Sequence, residues 1–123
     1  MNLVEKLNIV KNELRQLNNW LESLCLCQYN DSDIVFGTQL GAITQQLKDL
    51  SYDYLKSANE FGIDKSISMP IYDNIQAAIR TIKNNSGNET KKLYYCFCIG
   101  RAHNYISVSI IGLDDWIVSI ELS

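Results

Sequence analysis

The 123-residue chain has room for one domain of ordinary size, and its 46% apolar and 20% charged residues with a single proline exclude a disordered tail. Eleven basic against fourteen acidic residues leave a net charge of −3, too little positive charge for the phosphate neutralisation that drives nucleic-acid affinity. The N-terminus MNLVEKLNIVKNELRQL interrupts its apolar positions with charge, unlike a signal peptide, and no stretch reaches the ~18 apolar residues of a membrane span, so the expectation is a soluble, cytoplasmic protein with reduced thiols.

Leu3, Leu7, Val10, Leu14, Leu17, Leu21 and Leu24 recur at alternating steps of four and three residues, which predicts a helix from about Leu3 to about Cys25 with one buried seam. QYNDSD gathers short polar side chains that compete with helical backbone bonds, so a turn is expected there and a new helix starts within Asp31 to Thr38. Its apolar series runs through Phe36, Leu40, Ile43, Leu47, Leu50, Tyr54, Ala58 and Phe61, and Gly62 is placed to stop it. Two helices of matching length with a short linker imply an antiparallel hairpin. Gly37 and Gly41 lie early in the second helix, where close approach of another backbone is one benefit that offsets their weak helix propensity; a start after Gly37 is the other reading.

Pro70 suits a first helical turn, and Ile71, Ile75, Ala78, Ile79 and Ile82 then line one face of a third helix over about Pro70 to Lys83. NNSGNET ends it. In YISVSII the period changes: Ile106, Val108 and Ile110 alternate with Tyr105, Ser107 and Ser109, as in a half-buried strand. LYYCFCI and WIVSIEL are also rich in β-branched and aromatic residues, while GRAHN and GLDD supply turns. The expected fold is α+β in a single domain over 1–123: two long antiparallel helices and a third helix over about 3–84, then a three-stranded antiparallel β-meander over about 92–122.

The chemistry-bearing residues are few. Cys96 and Cys98 would share a strand face about 7 Å apart, whereas Cys25 and Cys27 on a helix would diverge by about 200°, so the four thiols lack the converging turn of a zinc site and are read as small core residues. Cys98 and His103 could form a nucleophile–base pair only with an orienting carboxylate and an oxyanion-binding glycine motif, and neither lies nearby. No phosphate-binding loop, dinucleotide fingerprint or metalloprotease motif occurs. Tyr94, Tyr95, Phe97 and Tyr105 with Lys91, Lys92 and Arg101 resemble a base-stacking row, but strand alternation would divide them between two faces. The positions flanking the first helix's seam, Val4, Lys6, Lys11, Glu13, Asn18, Trp20 and Cys25, are too apolar and unpatterned for a two-stranded zipper and favour burial inside the domain.

These exclusions point to a non-enzymatic protein with no cofactor and no metal, working by surface complementarity. The expected function is a small inhibitor or immunity-type protein that neutralises a toxin or defence effector with a basic surface. Asp114, Asp115 and Trp116 at the second hairpin tip, with Arg101 and His103 at the first, are the expected partner-binding residues, since Trp is enriched in binding hot spots and acid steers association. The alternatives are a self-associating structural or adaptor subunit that dimerises through the N-terminal helical hairpin, and a small thiol or metal-binding protein.

Overall fold

In the computed structural model the backbone is described for residues 1–27, 33–85 and 92–123, and side chains for 1–24, 37–83 and 99–123. The chain forms four helices, α1 (Leu3–Cys27), α2 (Asp33–Glu60), α3 (Lys65–Asn85) and α4 (Lys92–Leu122), with no strand among the described residues. The α+β expectation is therefore wrong in its last third: the segment read as a β-meander over 92–122 is one 31-residue helix, and the fold is all-α.

Each helix packs against its two ring neighbours, α1 on α2 and α4, α3 on α2 and α4, while the diagonal pairs make no close backbone approach among the described residues. Cross-helix bonds fix the directions. Trp20 Nε1 donates to Gln39 Oε1 at 2.9 Å between α1 and α2, Gln76 Nε2 to Ser51 Oγ at 3.0 Å between α2 and α3, and Lys11 Nζ to Asp114 Oδ1 at 2.9 Å between α1 and α4. Sequential neighbours are antiparallel, as short connections require, and the result is an up-down-up-down four-helix bundle.

The first three helices follow their sequence signals. The seam residues from Leu7 to Leu24 are all buried, with Leu14 and Leu21 fully so, and they meet Leu40, Ile43, Leu47, Leu50 and Tyr54 of α2 in one core. Asn2 starts α1 by accepting the Glu5 N–H on Oδ1 at 2.8 Å, and its Nδ2 reaches back to Glu5 Oε1 at 3.1 Å, a reciprocal cap. Gly62 ends α2 with φ 64°: its N–H bonds Asn59 O at 3.1 Å and the Ile63 N–H bonds Ala58 O at 2.9 Å, the paired closure that a left-handed residue allows. Gly37 and Gly41 lie inside α2 with no neighbour within 4 Å of a Cβ at either, so no backbone approaches there.

α3 begins five residues before the expected Pro70 because Asp64 caps it, its Oδ1 accepting the Ser66 N–H at 2.8 Å and its carbonyl the Ile67 N–H at 3.0 Å. The same bond from the Ser66 N–H holds the Asp64 carboxyl below its ordinary value. Pro70 thus lies inside the helix, on its exposed side, where the carbonyl that loses its donor can turn to water.

α4 is helical despite its β-branched residues because the three-helix frame leaves an apolar groove that only a helix of matching seam fills, and packing overrides a weak local preference. Ile99, Ala102, Ile106, Ser109, Leu113 and Ile117 face inward and are buried. Ser109 is tolerated there because its hydroxyl donates to Tyr105 O at 3.0 Å, one turn back. Gly100 and Gly112, expected in turns, are helical, and Gly112 sits where α3 comes close: a Cβ there would lie 3.3 Å from Ile71 Cγ1.

Candidate functional site

The apolar positions of α4 fall on two opposite stripes. With the inner stripe buried in the core, a second series, Arg101, Asn104, Val108, Ile111, Asp115, Val118 and Leu122, advances by three and four residues along the solvent side. Val108 is 51% exposed, Ile111 60%, Val118 46% and Leu122 82%. Other large exposed apolar side chains among the described residues, such as Ile9, Tyr52 and Ile67, stand singly on their helices. The solvent side of α1 instead carries Glu5, Asn12, Gln16, Asn19 and Ser23, that of α2 Gln45, Asp49, Lys56 and Asn59, and that of α3 Ser66, Asp73 and Arg80. Isolated exposed apolar residues are ordinary, whereas a contiguous stripe rimmed by polar groups marks a contact surface.

The five expected site residues all lie on α4 but do not form one cluster. Asp114 points to α1, bonded to Lys11, whose side chain is only 12% exposed. That ammonium, with Arg15 adding attraction, holds the Asp114 carboxyl below its ordinary value. His103 lies on the same edge, its Nε2 3.9 Å from Glu22 Oε2. Between them Asn18 Nδ2 donates to Ser107 Oγ at 3.0 Å. The three pairs descend the α1/α4 seam in matching steps of seven and four residues, so they fix the register of two antiparallel helices. Asn18 is buried, and its Oδ1 is the one buried side-chain oxygen without a protein partner among the described residues.

Trp116 is half-buried against the core, and the hairpin tips that were to present these groups do not exist. Arg101 and Asp115 are exposed and share the outward stripe, about 21 Å apart at 1.5 Å per residue. Arg101 also borders a shallow groove between α3 and α4 with Asn74, Asn104, Tyr105 and Val108, about 280 Å³ in volume.

The other acidic residues are spread over the bundle. Asp53 and Glu60 border an open groove of about 320 Å³ between α1 and α2, where Lys6 and Lys56 offset them, and α4 is not a backbone neighbour of α2 among the described residues. Asp64 is occupied as the α3 cap. Across α2 and α3, the Lys83 ammonium can donate to the neutral Lys48 amine and repels its charged form, and both effects lower the Lys48 pKa. The side chains of Cys25, Cys27, Cys96, Cys98, Tyr94, Tyr95 and Phe97 lie outside the described residues, as do those of Asp31 and Asp33; among the described ones no group of three metal-binding side chains converges. No helix is long and apolar enough to cross a membrane among the described residues.

Sequence reasoning missed Val108, Ile111, Val118 and Leu122 as surface residues. The signal was present in the three-four spacing from Arg101 to Leu122, but the shorter alternation in YISVSII overlay it. Comparison with known proteins adds nothing further: no family model, no curated protein and no solved structure matches this chain.

Proposed function

We propose that the chain is a binding protein that acts by surface complementarity, and that its working surface is the outward stripe of α4. The observation that carries this reading is the second heptad series, in which Val108, Ile111, Val118 and Leu122 stand exposed among Arg101, Asn104 and Asp115, the one outward row of several large apolar side chains among the described residues. A rigid bundle holding such a stripe is suited to receive an amphipathic helix, whose anchors enter at the same three-four spacing. The recognition is led by apolar contact, and Arg101, Asn104 and Asp115 set orientation. Asp114 is paired with Lys11 on the α1/α4 seam, and this reading gives it a scaffold role.

The α1 and α2 seams, which self-association through the N-terminal hairpin would use, are buried inside the bundle, and this favours the α4 stripe over them. A toxin- or effector-neutralising role is the form of this reading in which the recognised helix belongs to another macromolecule. Photo-crosslinking in the source cell tests the surface: a benzophenone amino acid at Ile111 should give protein adducts, and the same group at Asn12 on the polar side of α1 should give few. Equal labelling at both positions, or none at Ile111, would refute the assignment.

A further inference from the structure

Resting on that assignment of the surface, we infer that the helix received by α4 is the α4 of a second copy, lying antiparallel. The stripe is complementary to itself in one direction only. In a parallel pair Arg101 would face Arg101 and Asp115 would face Asp115, two like-charge contacts at seam positions. Running antiparallel with Val108 opposite the partner's Ile111, the stripe places Asn104 opposite the partner's Asp115, a carboxylate for its amide to donate to. Arg101 then lies opposite the partner's Val118, with the partner's Asp115 one turn away and within reach of a guanidinium.

Each of these contacts occurs twice about a two-fold axis, the isologous arrangement that closes a dimer. Shifting the pair by one heptad, so that Val108 meets the partner's Val118, would set the Asp115 carboxylate on Ile111 and leave Arg101 without an acid opposite it, so charge also chooses the register. The apolar middle, Val108 and Ile111 from both copies, is sealed at each end by an Arg and an Asp. The groove bordered by Asn74, Arg101 and Tyr105 lies alongside and receives the partner's Val118.

An interface built from one helix of each copy belongs with the small, transient associations below roughly 1,200 Å², and a dissociation constant on the order of 10 to 100 µM is the expected range. Sedimentation equilibrium of the purified full chain from about 5 to about 500 µM tests this range. Wild type should be dimeric at the top of the range. Arg101→Glu and Asp115→Arg, each on an exposed face, should weaken association by about tenfold or more while leaving the melting temperature of the dilute monomer in place. The double variant Arg101→Glu/Asp115→Arg should restore it, because the pair is exchanged across the antiparallel axis. A parallel dimer would keep both like-charge contacts in the double variant and show no rescue.

A wild type that stays monomeric at about 500 µM, or a double variant without rescue, would overturn the inference. The crosslink at Ile111 separates this failure from that of the surface itself. Adducts with the mass of two chains support self-pairing; adducts only with other proteins from a monomeric chain keep the binding surface and overturn its occupant; no adduct at all overturns both.

Discussion

Replacing Asn18 by Leu should make the bundle more stable, although it removes a hydrogen bond. Asn18 is 6% exposed, donates to Ser107 Oγ at 3.0 Å and leaves Oδ1 without a protein partner. An unmet buried acceptor costs about 1 to 3 kcal/mol, and the single bond made by Nδ2 contributes only about 1 kcal/mol net. Leucine keeps the branch at Cγ, puts methyl groups where the two polar ends were, and gains about 1 to 2 kcal/mol of burial beside Leu14 and Leu21. Ser107 is half-buried, and its hydroxyl can turn to water or to a carbonyl of its own helix at little cost. The net expectation is a gain of about 1 to 2 kcal/mol, which for a domain of this size raises the melting temperature by about 5 °C. Thermal and urea melts at neutral pH, with an unchanged denaturant slope, measure it. A variant that melts below wild type would refute the reasoning, since it would show that the Asn18–Ser107 bond outweighs the desolvation of its amide.

Three other outcomes follow from the packing. Tyr54 is buried, its hydroxyl donates to Ser68 O at 2.8 Å, and burial pushes its phenol well above the ordinary range. The group therefore contributes its stability fully below the unfolded value near pH 10 and loses it as pH climbs towards the folded one, so alkaline melts above about pH 10 should steepen by up to about 1.4 kcal/mol per pH unit. Tyr54→Phe should lose about 1 kcal/mol at neutral pH and remove that alkaline component. Gly41→Ala and Gly100→Ala meet no neighbour and should each stabilise by about 1 kcal/mol in urea melts, whereas Gly112→Ala, 3.3 Å from Ile71 Cγ1, should gain distinctly less. Leu14→Ala, at a fully buried seam position, should cost about 3 kcal/mol by the same measurement.

Most of the bundle was readable because its first three helices each carry one stripe. A seam such as Leu7 to Leu24, backed by polar residues, has a single period and a single interpretation. The start of α3 is less readable because Pro70 suits a first helical turn, while the bond between Asp64 and Ser66 is what begins the helix. α4 failed for a different reason. Two apolar stripes on opposite sides of one helix cancel its amphipathicity, and over seven residues their overlap reads as alternation: Ile106 belongs to the inner stripe and Val108 to the outer one. Ser109 completed the misreading, because its buried hydroxyl is satisfied by Tyr105 O and nothing in the local sequence announces that. The sequence places Arg101 and Asp115 at the tips of two hairpins; their sharing of one face emerges only once the segment is helical.

A helix with two apolar sides also has two ways to enter the groove that α1 and α3 offer, related by half a turn about its own axis. The ladder of Lys11 with Asp114, Asn18 with Ser107 and Glu22 with His103 works as a ward in a lock, admitting one roll angle. Turned over, α4 would carry Arg101 and Asp115 into the core and strand Lys11 against hydrocarbon, a cost of several kcal/mol for each buried unpaired charge. The unpartnered oxygen of Asn18 can be seen in that light. Stability given up along one edge of α4 secures the orientation that keeps Val108, Ile111, Val118 and Leu122 facing outward, where they are of use.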